Sequence, residues 1–314
     1  MVTPVILHTT FGNMAPELAD ELTARLDEPP QVAETPEESH DLLSSAEVAI
    51  AGRFPDEFLE SANDLRWLQA MSAGVDFIDQ EAFVARGIAL TNAAGVHPQP
   101  AAEQTFGCML TFERQLHVAI ENHRRGVWER YSPGELAGKT LGVVGLGAIG
   151  ARIAELGQAF GMTVIGTKRD TASVPASVDE VYAPADLREV LTRSEYLVLA
   201  CPLTEDTRGM IGEEQLRAMK SDAVLVNVAR GGVVDQDALV RALQYRHIRG
   251  AALDVFEEEP LPADSPLWDL SNVLVTPHVA GSTPRYAERL AEIFVRNYER
   301  YLETGVDELE NRVI

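Results

Sequence analysis

Short apolar runs alternate with amphipathic stretches through most of this 314-residue sequence. The apolar runs are rich in Val, Ile, Leu and Ala, and the stretches between them carry apolar residues at helical spacing. In α/β proteins such runs are strands of parallel sheets, which helices bury on both faces. The sequence therefore predicts doubly wound parallel sheets.

A first alternating series occupies the N-terminal part of the chain. Helices are predicted near Glu17–Leu26 and Asp79–Ala85, and the acidic, proline-containing segment Asp27–His40 is predicted to be a surface loop. The predicted strands of this series are Val5–His8, Val48–Ala51, Trp67–Ala70 and Ile88–Thr91.

Two prolines interrupt the pattern in the segment Gly95-Val96-His97-Pro98-Gln99-Pro100. Because proline lacks an N–H group, this segment cannot continue a helix or a central strand, and we interpret it as a hinge between domains. A long helix is predicted to follow, from about Ala101 to Arg125.

A second alternating series follows this helix. It ends in a predicted helix, Pro284–Glu303, with apolar residues at helical spacing. Its predicted strands are Thr140–Val144, Thr163–Gly166, Tyr196–Ala200, Ala223–Val228, Ala251–Val255 and Val273–Thr276.

The charge balance of the chain is strongly acidic. Asp and Glu number 49 against 26 Lys and Arg, which gives a formal net charge of −23. A polyanion repels nucleic acid, so DNA or RNA is disfavoured as a partner. The lysines are only Lys139, Lys168 and Lys220. This pattern favours a halophilic protein, whose acidic groups are screened by a high-salt cytoplasm; an ordinary acidic protein is the alternative.

The sequence shows no signal for export or for membrane insertion. Met1–His8 lacks the basic region and the long apolar run of a signal peptide. The apolar runs are far shorter than the about 18 residues of a membrane span. Cys108 and Cys201 lie far apart and fit no metal-ligand spacing, so we expect free thiols, no metal site and a cytoplasmic location.

The loop Gly145-Leu146-Gly147-Ala148-Ile149-Gly150 lies between the predicted strand Thr140–Val144 and the predicted helix Ala148–Phe160. A second strand follows, so the loop has the βαβ context of a dinucleotide-binding fingerprint. The first glycine makes the tight turn and the second lets the backbone approach a pyrophosphate. The third permits close helix packing, and the phosphate binds at the helix N-terminus.

The residues after that second strand indicate which dinucleotide binds. An NAD enzyme usually places Asp or Glu there to hold the ribose hydroxyls, but this chain has Thr167-Lys168-Arg169. Lys168 and Arg169 can bind a 2′-phosphate, and Thr167 can donate a hydrogen bond to it. The sequence therefore favours NADP(H) over NAD(H). In the alternative, Lys168 and Arg169 are solvated and Asp170 binds the ribose.

An arginine, a group of carboxylates and a histidine follow three strands of the second series. Arg230 follows Ala223–Val228, Glu257-Glu258-Glu259 lies shortly after Ala251–Val255, and His278 follows the last strand. Ligands of open α/β sheets bind at the carboxyl ends of the strands, so we expect these side chains to share a site.

This set of side chains suits the reduction of a 2-keto acid. A fixed guanidinium can bind the substrate carboxylate, and hydride transfer to the keto carbon builds negative charge on its oxygen. Histidine can protonate that oxygen because its side chain exchanges a proton near neutral pH. A neighbouring carboxylate would orient the ring. Taken singly, each residue has a structural alternative, such as a turn for Arg230-Gly231-Gly232.

The chain resembles the D-isomer-specific 2-hydroxyacid dehydrogenase family over nearly its whole length. The segments that carry the resemblance are Ser72-Ala73-Gly74-Val75-Asp76, Val143 with Gly145–Gly150, Asn227–Gly232, Ala252–Phe256 with Glu259-Pro260-Leu261, and Thr276-Pro277-His278.

The resemblance implies roles for particular residues. Arg230 would bind substrate, Glu259 would be the carboxylate partner, and His278 would be the general acid/base. The backbone N–H groups of Ala73, Gly74 and Val75 would bind the substrate carboxylate. The implied cofactor contacts comprise the glycine loop (Gly145, Leu146, Gly147, Ala148, Ile149, Gly150), Thr167, Lys168, Arg169, Cys201, Pro202, Thr207, Val228, Ala229, Arg230, Asp254, His278 and Gly281.

The resemblance also implies the domain organisation. A flavodoxin-like substrate-binding domain would comprise residues 1–97 and 284–314, and a Rossmann dinucleotide-binding domain would comprise residues 98–283. The helix Ala101–Arg125 and the segment around Trp128 resemble the family's dimerisation region, which implies a homodimer; packing within the domain is the alternative.

The implied activity is reversible, NADPH-dependent reduction of a 2-keto acid to a D-2-hydroxy acid. A nucleotide-sensing corepressor of the same fold, or a reductase specific for glyoxylate or hydroxypyruvate, is the alternative. The size of the substrate side chain would be set by a pocket near Ser72–Val75, with Phe11 or Trp268 as further candidates for its lining. These residues do not indicate which keto acid is the substrate. Glu259 argues against a formate dehydrogenase, which lacks a glutamate in this role.

The net charge of −23 predicts that folding depends on salt. Lowering the KCl concentration from about 1 M to about 0.01 M lengthens the Debye length from about 3 to about 30 Å, so the repulsion between acidic groups is no longer screened. We expect the far-ultraviolet circular dichroism of a helical protein to be lost at low salt. A spectrum and a melting temperature that do not change with salt would contradict the halophilic interpretation.

Overall fold

The computed structural model describes residues 2–10, 14–75, 77–172 and 174–314. The chain divides into two compact units. The first, here called the discontinuous unit, comprises Met1–Val96 and Thr283–Ile314, and the second, the inserted unit, comprises His97–Ser282. Each unit is built on one sheet in which all paired strands are parallel, so the predicted α/β class with two parallel sheets is confirmed.

The strands are numbered along the chain. They are β1 (Val5–Ile6), β2 (Gln31–Val32), β3 (Val48–Ala51), β4 (Trp67–Ala70), β5 (Ala89–Thr91), β6 (Thr140–Val144), β7 (Thr163–Thr167), β8 (Glu180–Tyr182), β9 (Tyr196–Leu199), β10 (Val224–Asn227), β11 (Gly250–Leu253) and β12 (Val273–Val275).

The α-helices are numbered in the same way. They are α1 (Met14–Thr23), α2 (Pro36–Leu43), α3 (Asp56–Ser61), α4 (Gln80–Arg86), α5 (Pro98–Glu113), α6 (Leu116–Arg124), α7 (Ala148–Ala159), α8 (Leu187–Arg193), α9 (Glu213–Ala218), α10 (Gln236–Gln244) and α11 (Tyr286–Thr304).

The discontinuous unit has the strand order β2-β1-β3-β4-β5, which is the flavodoxin-like order. Its core includes the fully buried Trp67 of β4, which stacks on Phe294 of α11 with the ring centroids 5.0 Å apart. The C-terminal helix is thus part of this unit, because its apolar side packs on a sheet formed by the N-terminal residues.

The inserted unit has the strand order β12-β11-β10-β9-β6-β7-β8. The chain starts at β6, adds β7 and β8 on one side, and then returns to place β9 on the other side of β6. Val144 at the end of β6 is therefore paired with both Thr167 of β7 and Leu199 of β9. Such a reversal of strand order opens the crevice in which doubly wound proteins bind ligands.

The two ends of the inserted unit meet at one contact. His97 begins the unit, and its Nδ1 lies 3.0 Å from the carbonyl oxygen of Gly281, next to the last residue of the unit. A Cβ at Gly281 would lie 2.8 Å from this Nδ1, so only glycine lets the ring lie so close to the backbone.

The predicted surface loop Asp27–His40 is partly wrong, because the segment contains β2 and the start of α2. Thr35 caps α2 by accepting a hydrogen bond from the Glu38 N–H at 3.1 Å, and Pro36 occupies the first turn. A threonine followed by proline and, three residues on, by glutamate is a helix-start signal. That signal was present in the sequence, but the prolines and acids around it indicated a loop.

The predicted helix from Ala101 to Arg125 is two helices, α5 and α6, separated at Gln115, which adopts a left-handed φ of 53°. The prolines of the predicted hinge do not stop a helix. Pro98 and Pro100 lie in the first turn of α5, where N–H groups have no acceptor within the helix.

In the described residues, β2 and β8 are the strands that the sequence analysis did not predict.

Candidate active site

The glycine loop joins β6 to α7, and two of its glycines are required by the protein itself. Gly145 has a φ of +97°, and a Cβ there would lie 2.8 Å from the Cα of Cys201. At Gly150 a Cβ would lie 2.1 Å from the carbonyl oxygen of Gly145. These contacts agree with the tight turn and the close helix packing expected of the first and third glycines.

Gly147 differs from these two glycines. It precedes α7, and a Cβ there would meet no described protein atom within 4 Å. Folding therefore does not require glycine at this position, whereas close approach of a ligand would require it. The first N–H groups of α7 have no partner within the helix and suit an anion such as a pyrophosphate.

The residues after β7 lie beside the glycine loop because Thr167 is paired with Val144. The buried hydroxyl of Thr167 accepts a hydrogen bond from the Gly145 N–H at 3.3 Å, so it supports the loop. Lys168 is half-buried and Arg169 is exposed. The Asp170 carboxylate accepts a hydrogen bond from the Ala172 N–H at 3.1 Å, which holds it in a local turn.

The loop after β10 presents Arg230, and the buried side chain of Asn227 organises it. Asn227 is 1% exposed. Its Oδ1 accepts a hydrogen bond from the Ala229 N–H at 3.0 Å, and its Nδ2 donates to the Arg230 carbonyl at 3.1 Å. The amide thus fixes the backbone on both sides of the Arg230 Cα.

Gly231 brings this loop against the segment that follows β11. A Cβ at Gly231 would lie 1.9 Å from both the carbonyl carbon and the carbonyl oxygen of Phe256. The two backbones therefore pack without a side chain between them. Because Phe256 is three residues before Glu259, this contact brings the Arg230 loop next to the segment that carries the carboxylate.

The loop after β12 presents His278 and is held by Asp254, a carboxylate that is 3% exposed. Asp254 Oδ1 accepts hydrogen bonds from Thr276 Oγ1 at 2.5 Å and from the Val279 N–H at 3.0 Å, and Oδ2 accepts one from the Ala280 N–H at 2.8 Å. The Asp254 carbonyl accepts a bond from the His278 N–H at 2.8 Å. His278 has a φ of +53°, a conformation that persists when surrounding bonds impose it.

His278 and Glu259 form a hydrogen-bonded pair. The His278 Nδ1 lies 2.7 Å from Glu259 Oε2, and Glu259 Oε1 accepts a bond from the Phe256 N–H at 2.9 Å. A carboxylate accepts hydrogen bonds, so this pairing places the proton of the neutral imidazole on Nδ1. The His278 side chain is 51% exposed, and its Nε2 is left to exchange a proton with a ligand.

A cleft of about 680 Å³ brings the predicted catalytic residues of the inserted unit together. It is lined by Leu203, Arg208, Gly209, Arg230, Gly231, Gly232, Asp235, Phe256, Glu257, Glu259 and His278. Arg230, Glu259 and His278 therefore share one cavity, as their positions after three neighbouring strands predicted.

Other predicted cofactor residues lie at the same sheet edge. The Thr207 hydroxyl donates to the Pro202 carbonyl at 2.6 Å and accepts from the Thr204 N–H at 2.7 Å. Cys201 is buried, and burial raises the pKa of its thiol. Burial, assisted by Asp254, raises the pKa of Cys108 to about 12. Both cysteines are free, and the raised pKa values favour their neutral forms.

The predicted substrate loop lies in the discontinuous unit, directly after β4. Asn92 Nδ2 donates to the Ala73 carbonyl at 2.8 Å, and Ser72 Oγ donates to the Gly74 carbonyl at 2.6 Å. Asp76 and Phe11 lie outside the described residues. Trp268 belongs to the inserted unit, where its Nε1 donates to the Pro262 carbonyl at 2.9 Å.

Sequence reasoning missed the roles of three residues. In the sequence, Asn227 stands out only as part of a family motif, although a polar residue at the end of an apolar strand is a signal for a buried hydrogen-bonding group. The predicted role of Asp254 is a cofactor contact, whereas its hydrogen bonds in the structure hold the His278 loop. Arg208 lines the cleft, but no spacing in the sequence distinguished it from other surface arginines.

A family model for the NAD-binding domain of D-isomer specific 2-hydroxyacid dehydrogenases matches residues 106–280 of the chain. The chain therefore belongs to the D-isomer specific 2-hydroxyacid dehydrogenase family, an oxidoreductase family with a Rossmann NAD-binding domain. The resemblance predicted from the sequence motifs is confirmed.

Two curated relatives illustrate the range of activities. A glyoxylate reductase of Aeropyrum pernix is 39% identical over 272 residues, which are 82% of this chain and 81% of the relative. A D-3-phosphoglycerate dehydrogenase of Methanocaldococcus jannaschii is 38% identical over 273 residues. That match covers 85% of this chain but only 52% of the relative, so the chain spans about half the length of that enzyme.

Two solved structures illustrate the range of cofactors. A D-isomer specific 2-hydroxyacid dehydrogenase from Xanthobacter autotrophicus, in complex with NADPH and MES, has a TM-score of 0.84 at 30% identity and covers 100% of this chain and 98% of its own. A D-lactate dehydrogenase from Aquifex aeolicus, complexed with NAD and lactic acid, has a TM-score of 0.76 at 29% identity and covers 99% of each chain.

Two further features of the described part of the chain concern membranes and metal ions. There, no helix is long and apolar enough to cross a membrane. The same residues contain no group of three or more His, Cys, Asp or Glu side chains arranged to hold a metal ion.

The close contact at Gly231 predicts that Gly231→Ala lowers both stability and activity. The new methyl group would collide with the backbone of Phe256, which cannot rotate away, so we expect a loss of about 1–3 kcal/mol in the free energy of unfolding. The displaced Arg230 loop should also reduce kcat/KM. Urea unfolding and steady-state kinetics at high salt measure the two effects.

Gly232→Ala is the matched control. A Cβ at Gly232 would first meet the flexible Leu203 side chain at 3.3 Å, so this variant should stay close to the wild type. Equal losses in both variants would contradict the importance of the Gly231 contact.

Proposed function

We propose that the protein catalyses the reversible, NADPH-dependent reduction of a 2-keto acid to a D-2-hydroxy acid. The observation that carries this proposal is the Glu259–His278 pair in the same cleft as Arg230. This set provides a proton donor, a group that orients it and a cation for the substrate carboxylate. Membership of the family supports the reaction class.

The residues around the glycine loop fit a dinucleotide. In the proposal, Gly147 and the first turn of α7 hold the pyrophosphate, and the segments Cys201-Pro202, Val228-Ala229 and Gly281 with Asp254 hold the nicotinamide half. When bound, the nicotinamide supplies the hydride. The open space at the Cβ position of Gly147 supports this assignment, because glycine there leaves room for the phosphates.

In the proposed reaction, Arg230 binds the substrate carboxylate through its guanidinium. His278 donates the proton of its Nε2 to the keto oxygen as negative charge develops there. Glu259 stabilises the positive imidazolium and keeps the ring oriented through its bond to Nδ1. In the reverse direction, the neutral His278 accepts the hydroxyl proton at the same atom. The role of Ala73, Gly74 and Val75 in binding the substrate carboxylate rests on the family resemblance.

Lys168 and Arg169 support NADPH as the preferred cofactor. Their positive charges lie at the end of β7, beside the glycine loop, where a ribose 2′-phosphate would be bound in a Rossmann domain. Asp170, the alternative ribose ligand, is engaged by the Ala172 N–H. Thr167 would support this site through its hydrogen bond from the Gly145 N–H of the glycine loop. Because relatives of this fold bind either NADPH or NAD, the cofactor preference needs a direct test.

The proposal includes a homodimer. Exposed apolar side chains concentrate in and after α6, namely Leu116, Ile120, Val127, Trp128 and Tyr131. Such a concentration favours burial against another protein surface. A second copy of the chain is the partner that the family resemblance implies.

Replacing His278 by alanine should abolish proton donation. We expect His278→Ala to lower kcat by about 10²–10⁴-fold while NADPH binding is retained. NADPH absorbance, followed with a panel of 2-keto acids at high salt, measures turnover, and NADPH fluorescence measures binding. His247→Ala is the control, because His247 lies on the surface and stacks on Tyr245. Near-normal turnover of His278→Ala would refute its assigned role.

Replacing Lys168 by aspartate should reverse the cofactor preference. The carboxylate would repel a 2′-phosphate and could accept bonds from the ribose hydroxyls, so we expect the kcat/KM ratio of NADPH to NADH to fall about 100-fold or more. Arg188→Asp is the control, since it makes the same charge change on an exposed site of α8. If the ratio is the same in both variants, NADP specificity does not depend on Lys168.

A further inference from the structure

The active-site cleft contains a second arginine, Arg208, in addition to Arg230. Its guanidinium reaches the glycine pair that follows Arg230, because its Nη1 lies 3.5 Å from the Cβ position of Gly232. Two arginines therefore line the cavity that also holds the Glu259–His278 pair.

A rigid turn presents Arg208. The turn is held internally by hydrogen bonds from the Arg208 N–H to the Thr204 carbonyl at 3.0 Å and from Thr207 Oγ1 to the Pro202 carbonyl at 2.6 Å. It is also tied to the neighbouring loop, since the Gly209 N–H donates to the Gly232 carbonyl at 2.8 Å. The backbone that carries Arg208 is thus fixed relative to the loop that carries Arg230.

Arg208 has no counterion in the described structure, although acidic residues outnumber basic ones by 49 to 26. Three carboxylates line the same cleft, and each accepts a hydrogen bond elsewhere. Asp235 accepts from the Ala238 N–H at 2.9 Å, Glu257 from the Gln236 N–H at 3.3 Å, and Glu259 from His278. None of these carboxylates forms an ion pair with Arg208, so its guanidinium can bind an anionic group of a ligand that enters the cleft.

We propose that Arg208 binds a second negatively charged group of the substrate. The substrate class is then a 2-keto acid with two anionic groups: Arg230 binds the carboxylate next to the keto group, and Arg208 binds a distal carboxylate or phosphate. This assignment rests on the proposed function. Each guanidinium offers paired N–H donors that match a carboxylate or phosphate, so a ligand with two anionic groups can use both arginines, whereas a ligand with one group leaves one of them unused.

The test compares the wild type with Arg208→Gln and Arg208→Lys at saturating NADPH and constant high salt. Glyoxylate and pyruvate carry one anionic group, 2-oxoglutarate carries a distal carboxylate, and 3-phosphohydroxypyruvate carries a distal phosphate. We expect a wild-type preference for one of the last two. Arg208→Gln should lower kcat/KM for that substrate by about 10- to 100-fold, mainly through KM, and leave the first two little changed.

The lysine variant distinguishes a substrate with a distal phosphate from one with a distal carboxylate. Lysine keeps the charge but not the paired donors that match a carboxylate, so Arg208→Lys should recover more activity with a phosphate than with a carboxylate. Arg241→Gln is the matched control, because it removes an exposed arginine of α10 outside this cleft. It should leave all substrates unchanged.

Two outcomes overturn the role of Arg208: no preference of the wild type for a substrate with two anionic groups, or an equal loss with every substrate in Arg208→Gln. Both leave the proposed function intact if glyoxylate or pyruvate is reduced. If no keto acid is reduced, the proposed function fails. Calorimetric binding of 2-oxoglutarate and of 3-phosphohydroxypyruvate then tests Arg208 without turnover, and affinities equal in wild type and Arg208→Gln would refute its role.

Discussion

The buried carboxylate of Asp254 accepts hydrogen bonds from Thr276, Val279 and Ala280, and the position of the proposed proton donor depends on these bonds. His278 lies between the donors and adopts a left-handed backbone conformation. A carboxylate in such a position is costly to bury unless its oxygens are satisfied, and here the loop supplies the donors. The loop and the carboxylate therefore stabilise each other, and the imidazole is presented by an ordered backbone.

The same arrangement recurs at the neighbouring strands. Asn227 uses both ends of its amide to hold the Arg230 loop, and Gly231 lets that loop contact the backbone at Phe256. Each functional side chain is exposed, whereas the group that positions it is buried. This division suits a catalytic site, because an exposed side chain can reach a ligand while a buried, hydrogen-bonded one keeps the geometry fixed.

Much of the architecture could be predicted from the sequence, because buried parallel strands leave short, continuous apolar runs and a βαβ unit with a glycine loop has a recognisable pattern. Strands β2 and β8 were missed, since β2 has only two residues, both exposed, and the residues of β8 are not buried. The break between α5 and α6 occurs at one residue, Gln115, which adopts a left-handed conformation. Glutamine has no preference for that conformation, so no signal in the sequence indicated the break. The site residues at strand ends were predictable from topology. The positioning roles of Asn227 and Asp254 were not, because they depend on hydrogen bonds between loops that are distant in sequence.

The contact between His97 and Gly281 has a consequence for how the chain folds. The entry and the exit of the inserted unit lie side by side, so a folded inserted unit joins the two parts of the discontinuous unit as a short connection would. The entropic cost of closing a loop rises with its length, so if the inserted unit were unfolded, the discontinuous unit would have to close around a long flexible chain. Independent folding of the inserted unit would therefore assist assembly of the rest of the protein, in the way that inserted domains are tolerated when their ends are adjacent.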